Sequence, residues 1–427
     1  MGRGVEAKTG KGGVRAGADI AALMTDGDFL RIWGAGTLIG IVRWLETLAV
    51  GIFVIDLTGS VSTVATVGFM RMLPMLLLGA VIGTLASRFR RRSLLLAGVG
   101  VTGLLALALG LLAWADMIAV WQIALGSLFT GLLWTADFPI RRTIMADIAG
   151  RARTGTAMSI ESATTHVTRL LGAGLGGLLV GLVGLEGTYL LGAAIYAVIL
   201  VLLAGVKFAD EPTSSTHGNL LADTFGGLRT IVPERFLVAV MAVTVGFNFF
   251  GYAYTSMVPV IGRAELNVDA FSIGLLVSTE AAASLIASVV FAALAPRRYL
   301  GVYYAFGAVA FMVGVLIFAL SPSYWLCLAV MAVTGVAGGC FSVTQSTLIL
   351  RGSPAVLKAR AMGALTICIG LAPLGMLHLG WLAEYLGTPA AVAISAAEGI
   401  AAVIAVMVLF PRLLKADVLD AGKLPKT

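Results

Sequence analysis

The chain has 427 residues, of which 59% are hydrophobic and 12% are charged, and its formal net charge is +7. Soluble domains carry about 25% charged residues, so this chain has too little charge to cover a surface exposed to water. The composition therefore excludes a soluble globular protein. In such a chain we interpret the positive net charge as that of loops beside an anionic membrane leaflet rather than of a nucleic-acid surface. We therefore expect membrane lipids, and no nucleic acid, among its partners.

The apolar segments follow a polar, glycine-rich and basic stretch at residues 1–28, which we interpret as a cytoplasmic tail. Each segment is long enough for a helix that crosses the hydrocarbon core, which takes about 20 residues. Only helices satisfy every backbone group in lipid over segments of this length. The predicted spans are residues 30–57, 60–86, 93–113, 117–148, 155–183, 187–206, 234–262, 270–295, 299–320, 324–350, 358–386 and 389–411.

A polar linker at residues 207–233, which we predict to be cytoplasmic, is the longest interruption, and it divides six predicted spans from six. A weak repeat supports the division, because Gly68 and Gly274 open the second and eighth spans at a separation of 206 positions. Such a repeat around a midplane site is typical of transporters. The sequence therefore predicts an all-α membrane protein with twelve transmembrane helices in two pseudo-symmetric six-helix bundles. The bundles occupy residues 29–206 and 234–411, and residues 412–427 form a second cytoplasmic tail.

Basic residues fix the predicted orientation. Of the 29 lysines and arginines, all but four lie in the tails or in loops on one side of the membrane, and this asymmetry marks the cytoplasmic side. We therefore predict a multi-pass protein of the bacterial inner membrane with both termini in the cytoplasm. The four exceptions are Arg263 in an outer loop and, within spans, Arg43, Arg71 and Arg169.

Carboxyl groups inside spans are candidates for proton coupling, because ionisable groups are costly in hydrocarbon and usually face a cavity or a partner. Glu280 has no basic residue within reach on its own helix, and a buried carboxyl without a partner can carry a proton at neutral pH. We predict Glu280 as the first coupling residue, with Glu46 and Glu161 as further candidates. An interhelical ion pair of Glu280 with Arg43 or Arg169 is the alternative.

Polar side chains on the first and fifth spans predict a central cavity, with further wall from spans seven, eight and ten. Arg43 lies three residues before Glu46, so the two can touch on one helix. Glu161, His166 and Arg169 belong to a polar face that covers about half the circumference of the fifth span. The alternative is that these groups only satisfy one another. The predicted substrate-binding residues are Arg43, His166, Arg169, Asn248 and Gln345.

Two further patterns predict residues that act in conformational change. Asp137 and Arg141 are spaced for an intrahelical salt bridge, and with Arg142 they form a predicted latch, or else the arginines only anchor the helix at the interface. Small residues at 172–177 and 281–288 predict close helix contacts, and these would be either sliding or static. Gly172, Gly176 and Gly177 are the candidates in the first of these segments.

Several kinds of site have no motif in the sequence. There is no phosphate-binding glycine loop that ends in Lys-Ser or Lys-Thr, so we expect no ATP drive within the chain. No His, Cys and carboxylate cluster has the spacing of a metal site. The three cysteines lie in apolar segments, which argues against a disulfide framework. We expect no catalytic residue, no metal and no cofactor.

The segment from Gly83 to Arg92 resembles the loop signature that the major facilitator superfamily carries between its second and third spans. Gly83, Arg88, Arg91 and Arg92 match it, whereas Ser87 stands in place of an Asp and Arg90 in place of a Gly. The resemblance covers about residues 29–411. It implies a transporter that works by alternating access, in which Gly83, Arg88 and Arg91 act in the conformational change.

The segment from Gly172 to Gly177 resembles the fifth-span signature of the superfamily's antiporters, with Ala173 where proline is usual. Shorter segments are similar to the branch that contains enterobactin exporters and macrolide-efflux proteins. These segments are residues 57–60, 139–141, 169–172 and 366–380.

Together these features predict a monomeric, proton-coupled secondary transporter that exports an amphipathic small molecule, such as a drug or a siderophore-like compound. Its partners would be that substrate, protons and membrane lipids. An importer or a lysophospholipid flippase of the same fold is one alternative. A receptor or scaffold that transports nothing is another.

Overall fold

The computed structural model describes residues 18–88, 90–207, 234–294, 299–353 and 358–415. Within these ranges the chain is helical and has no strand. Ten helical segments within the described residues are long and apolar enough to cross a membrane, and Val61–Leu77 is a shorter apolar segment. The protein is therefore an all-helical, multi-pass membrane protein. Most of the predicted linker and most of both predicted tails lie outside the described residues.

The helices are numbered in chain order after a short helical turn at residues 18–24. They are α1 (Gly27–Thr58), α2 (Val61–Arg88), α3 (Arg91–Trp114), α4 (Val120–Ala204), α5 (Arg235–Glu265), α6 (Ala270–Leu294), α7 (Leu300–Leu320), α8 (Tyr324–Gly352), α9 (Lys358–Ile369), α10 (Ala372–Leu386) and α11 (Thr388–Leu409).

Two glycines interrupt α4, which is too long to be a single span. Gly150 has φ 69° and Gly184 has φ 68°, and glycine adopts this region without the steric cost that other residues pay. The two breaks divide α4 into three helical stretches that coincide with the fourth, fifth and sixth predicted spans. The total of twelve spans and their grouping into two bundles stay predictions.

Helix α5 is irregular in its second half. It is α-helical to Gly246, then makes a π turn at Phe247–Gly251 and a 3-10 turn at Tyr252–Ser256. Pro259 follows, and it cannot donate a hydrogen bond to the carbonyl of Thr255. Such departures from the α-helix are frequent at functional sites, and this one forms part of a cavity wall.

The outer surface of the helices is apolar. Leu104, Val201 and Trp325 are 69%, 73% and 75% exposed, and water would penalise so many large apolar groups on a soluble protein. The interior holds aromatic side chains as well as aliphatic ones, and Tyr196, Tyr254 and Tyr304 are among the largest that are fully buried. This distribution fits a protein whose outer solvent is lipid.

The amino-terminal part (residues 27–207) and the carboxyl-terminal part (residues 234–415) meet where helices approach through small residues. A methyl group built on Gly177 of α4 would lie 3.0 Å from the Cα atom of Gly274 in α6. A methyl group on Gly68 of α2 would lie 3.4 Å from the sulfur of Met376 in α10. The two glycines of the sequence repeat, Gly68 and Gly274, thus both lie at contacts between the two parts.

Other small residues pack within one part. A methyl group on Gly172 would meet the Trp44 side chain, and one on Gly176 would meet the backbone of Leu45, so both glycines lie against α1. The small face of α6 packs against α8, where a methyl group on Gly339 would lie 3.0 Å from Ala287 Cβ. Among the predicted conformational glycines of α4, it is Gly177 that contacts the other part of the chain.

Candidate substrate cavity

A cavity lies between the two parts of the chain. Helices α1, α2, α4, α5, α6 and α10 supply its wall. The prediction that spans one, five, seven and eight line it agrees with this geometry. Span ten, which is α8, supplies none of the described lining residues, whereas spans two, four and eleven do. The charged lining residues are Arg43, Arg71, Arg169 and Glu280, and the aromatic ones are Trp44, Trp134, Tyr252 and Tyr254.

The absence of a basic residue within reach on its own helix suggested that Glu280 is unpaired, but the structure shows that it has a partner. Its Oε2 atom accepts a hydrogen bond from Nη2 of Arg169, and the two side chains form an ion pair between α6 and α4. The Glu280 side chain is 3% exposed and the Arg169 side chain 15%. The interhelical pair that was the alternative for Glu280 is therefore the arrangement in this structure, with Arg169 as the partner. Helical spacing could not show it, because the partner is on another helix.

Glu46 pairs with Arg71 of α2 and not with Arg43, its neighbour on α1. The distance from Glu46 Oε2 to Arg71 Nη2 is 3.9 Å, and Nη1 of Arg71 donates to the carbonyl of Arg43 at 3.5 Å. Helical spacing brought Arg43 within reach of Glu46 but did not determine where its long side chain points. Arg71 is a site residue that the sequence analysis missed. The sequence did contain an indication of its role, because Arg71 is one of the arginines inside predicted spans.

The guanidinium of Arg43 lies against indole rings instead of a carboxylate. Its carbon atom is 4.6 Å from the ring centre of Trp134 and 5.5 Å from that of Trp44, a range in which the ring face attracts a cation. Among the described residues, Arg43 forms no ion pair within 4.0 Å, and its Nε atom has no hydrogen-bond partner. Arg43 is thus a charged group in the cavity wall that no carboxylate neutralises by contact.

A buried charge network lies beside this cavity, around a smaller space that Arg43 also lines. Arg141 Nε is 3.1 Å from Asp137 Oδ1, and its Nη1 is 2.7 Å from Glu161 Oε1. The predicted salt bridge between Asp137 and Arg141 is confirmed, and Glu161 proves to be its third member. Gly36 of α1 makes room for the network, because a side chain there would collide with the Arg141 guanidinium.

Arg142 lies outside this network. Its guanidinium carbon is 4.0 Å from the ring centre of Phe138, and its Nε atom has no partner within the described part of the chain. Arg91, at the start of α3, donates from Nη1 to Asp147 Oδ2 at 2.9 Å. Gly83 and Arg88 lie in α2, in a stretch whose side chains are outside the described residues, so their predicted roles stay predictions.

Three predicted substrate-binding residues are not among the described residues that line either space. His166 is half-buried on α4. Asn248 donates to the carbonyl of Thr244 at 2.9 Å, and Gln345 donates to the Thr244 hydroxyl at 3.0 Å. Asn248 and Gln345 are therefore satisfied within a polar cluster of the carboxyl-terminal part.

The aromatic lining residues were also absent from the sequence prediction. Trp44 and Trp134 lie inside the first and fourth predicted spans, and Tyr252 and Tyr254 lie where α5 leaves α-helical geometry. Pro259 is the feature of the sequence that could have indicated an irregular helix near these tyrosines, because proline disrupts the hydrogen bonding of the preceding turn.

Comparison with known proteins gives the family. The sequence profile of the Major Facilitator Superfamily matches residues 32–372 and 263–423. The staphyloferrin A transporter of Staphylococcus aureus is 22% identical over 278 residues, which cover 64% of this chain and 68% of that protein.

Solved structures agree on the fold. A bacterial homolog of the human lysosomal transporter Spinster, in an inward-facing and unoccupied conformation, superposes with a TM-score of 0.66 at 14% identity. That match covers 93% of this chain and 98% of the other. The nucleoside transporter NupG superposes with a TM-score of 0.68 at 15% identity, over 90% of this chain and 99% of the other. The chain therefore belongs to the Major Facilitator Superfamily, and it is a membrane transporter rather than an enzyme.

Proposed function

We propose that this protein is a proton-coupled secondary transporter of the bacterial inner membrane that exports an amphipathic small molecule by alternating access. Both termini would be cytoplasmic, the protein would act as a monomer, and the two parts of the chain would be six-helix bundles that rock about the cavity. The observation that carries the proposal is the ion pair between Arg169 and Glu280, which joins the two parts at the wall of that cavity.

The pair provides a physical basis for coupling. When Glu280 is ionised, it attracts Arg169 across the α4–α6 contact. When Glu280 takes up a proton, that attraction is lost, while Arg169 keeps its charge in a site poor in water, where an unpaired charge is costly. Protonation therefore changes the relative stability of arrangements in which α4 and α6 do or do not touch, as a bistable switch requires. Glu46 with Arg71 is a second protonatable pair, which joins α1 to α2 within the amino-terminal part.

A second ion pair would close one end of the cavity. Arg263 Nη2 is 2.9 Å from Asp56 Oδ2, which joins the end of α1 to the end of α5. In the orientation that the basic loops predict, this end faces away from the cytoplasm. The arrangement is then closed to the outside, and alternating access would require this pair to separate.

Similarity supports export more than import, because the segment from Gly172 to Gly177 resembles the antiporter signature. The relation to a staphyloferrin A transporter makes siderophore-like compounds the first substrates to test. An importer or a lysophospholipid flippase differs in the direction or the nature of the cargo, and a scaffold would show no flux. Flux in oriented vesicles separates all of these.

The test is transport in proteoliposomes with an imposed pH gradient. The cargo is the compound that most stabilises the purified protein in a thermal-shift screen of siderophores, antibiotics and lysolipids, with staphyloferrin A included. We expect Glu280→Gln to abolish gradient-driven accumulation but to retain exchange of labelled for unlabelled cargo. Glu46→Gln would weaken coupling in the same direction.

Glu384→Gln is the matched control, because Glu384 is exposed on α10. It should behave as the unmodified protein. Unchanged gradient dependence in both Glu280→Gln and Glu46→Gln would reject proton coupling at these residues. A complete absence of flux for every stabilising compound would favour the scaffold.

A further inference from the structure

The cavity wall has buried hydrogen-bond donors that lack acceptors. These are Nε of Arg43, Nε1 of Trp44 and Nε of Arg169, none of which has a partner in the described part of the chain. All three residues line the cavity. Buried donors are nearly always satisfied, because a buried donor without an acceptor destabilises the folded state. Three of them around one space indicate a site that a ligand with acceptor atoms would complete.

The net charge around the cavity is positive, which favours a ligand whose acceptor atoms carry negative charge. Three arginines line the main cavity and two of them pair with a carboxylate, so one positive charge is in excess there. Arg71 and Arg169 each contact one carboxylate, and Arg141 contacts two. Arg142 lies over Phe138, at the margin of the network. Arg43 is the arginine that lines the main cavity without an ion-pair partner among the described residues.

The remaining wall is apolar and aromatic. Trp44 and Trp134 flank the Arg43 guanidinium, and Val64, Val67 and Met376 belong to the same wall. Ligand sites typically combine such a surface with a few polar groups that fix orientation. A ligand held here would place an acidic group at Arg43 and an apolar body against the rest of the wall.

We propose that the cavity binds an organic anion, whose carboxylate is held by Arg43 and whose aromatic or aliphatic body packs on the wall formed by Trp44 and Trp134. This assignment rests on the proposed function, because it names the substrate class of the same cavity. A planar guanidinium can hold a carboxylate through two parallel hydrogen bonds. The Trp44 N–H is a further donor for an anionic oxygen.

A cationic ligand fits the same geometry poorly. Among the described residues, Glu280 is the carboxylate that lines the main cavity, and it is already bonded to Arg169. A cation would have to displace Arg169 from that bond and would also meet the uncompensated charge of Arg43. A neutral amide could accept hydrogen bonds from the donors, but it would gain no attraction from the excess charge.

The test compares three probes that share one aromatic body. Naphthalene carboxylate, naphthalene carboxamide and naphthyl methylammonium are anionic, neutral and cationic at neutral pH. Their binding to the full-length protein in detergent is measured by equilibrium dialysis. We expect the carboxylate to bind at least about tenfold more tightly than either analogue, as one charge-assisted contact would give.

Substitutions at Arg43 assign that preference to a residue. Arg43→Gln should weaken carboxylate binding about tenfold to a hundredfold and leave carboxamide binding unchanged. Arg43→Lys keeps the charge and should retain most of the preference, which guards against a folding defect in the Gln variant. Arg31→Gln is the control on the same helix, because Arg31 is 42% exposed and pairs with Asp28 outside the cavity.

Equal binding of the three probes would overturn the proposal, and so would an anion preference that Arg43→Gln leaves intact. Failure of the carboxylate to bind at about 10 mM, where even a weak site is occupied, would overturn it as well. These outcomes are separate from the transport assay. Flux of a cationic cargo would refute the anion assignment alone, whereas anion binding without any flux would refute only the proposed transport.

Discussion

Arg169 and Glu280 are 111 positions apart in the sequence, and they form an ion pair where α4 and α6 meet at the cavity wall. Directly beside the pair, the hydroxyl of Ser278 donates to the carbonyl of Leu170 at 3.0 Å. The two helices are therefore held together by polar contacts as well as by close packing at Gly177. Because the pair is buried, each member depends on the other for its compensation.

The first prediction concerns this dependence. Glu280→Gln should destabilise the folded protein by about 3–5 kcal/mol, because it leaves the charge of Arg169 without a partner. The double variant with Arg169→Gln should recover a large part of that loss. Thermal melting of the purified single and double variants measures the coupling between the two sites. Additive losses would mean that the pair contributes nothing as a unit.

The second prediction contrasts two salt bridges of the same chemical type. The Asp137 side chain is 2% exposed and bonds to Arg141, whereas the Asp147 side chain is 46% exposed and bonds to Arg91. Asp137→Asn should cost about 1.5–3 kcal/mol of stability, and Asp147→Asn less than about 1 kcal/mol. Denaturant titration in mixed micelles measures both. Equal losses of stability in the two variants would contradict the expectation that the buried salt bridge contributes more than the exposed one.

The third prediction concerns close packing between the two parts of the chain. Gly177→Ala should destabilise the α4–α6 contact by about 1–3 kcal/mol, because the added methyl group meets the backbone of α6. Gly181, one turn further along α4, has open space beside it. Gly181→Ala should be neutral or slightly stabilising, since alanine favours a helix by about 0.5–1 kcal/mol over glycine. Thermal melting of both variants, followed by transport, checks the difference.

The fourth prediction concerns the end of the cavity at Asp56 and Arg263. In a protein with Asp56→Cys and Arg263→Cys, a short cleavable thiol crosslinker should stop cargo flux, and reduction should restore it. Either cysteine alone should leave flux unchanged after the same treatment. The native cysteines are buried, so background reaction should be low. Full flux after complete crosslinking would show that this end does not need to open.

Most of the helices and the charged residues of the site could be predicted from hydropathy and charge, because both are properties of the local sequence. Arg43, Glu46, Arg169 and Glu280 were identifiable as ionisable groups inside apolar segments. Their partners were not, because helical spacing reaches only three or four residues along one helix. The pairs of Glu280 with Arg169 and of Glu46 with Arg71 both join different helices.

Irregular backbone limited the rest of the prediction. Tyr252 and Tyr254 reach the cavity from a 3-10 turn, and a regular helical wheel does not describe side-chain directions in such a turn. Asn248 and Gln345 were chosen as polar residues in apolar spans. They instead satisfy Thr244, because a buried amide can be satisfied by any nearby backbone or hydroxyl group.

The central claim is that the cavity opens to one side of the membrane and then to the other. Thr255 lines the cavity and is half-buried, so a single cysteine there reports access. In a variant with Thr255→Cys and the native cysteines replaced by alanine, we predict labelling by an impermeant maleimide in right-side-out and in inside-out vesicles, with cargo slowing both reactions. The contradicting result would be labelling from one side of the membrane only, at a rate that does not change when cargo and a pH gradient are supplied. It would mean that the cavity does not open to both sides.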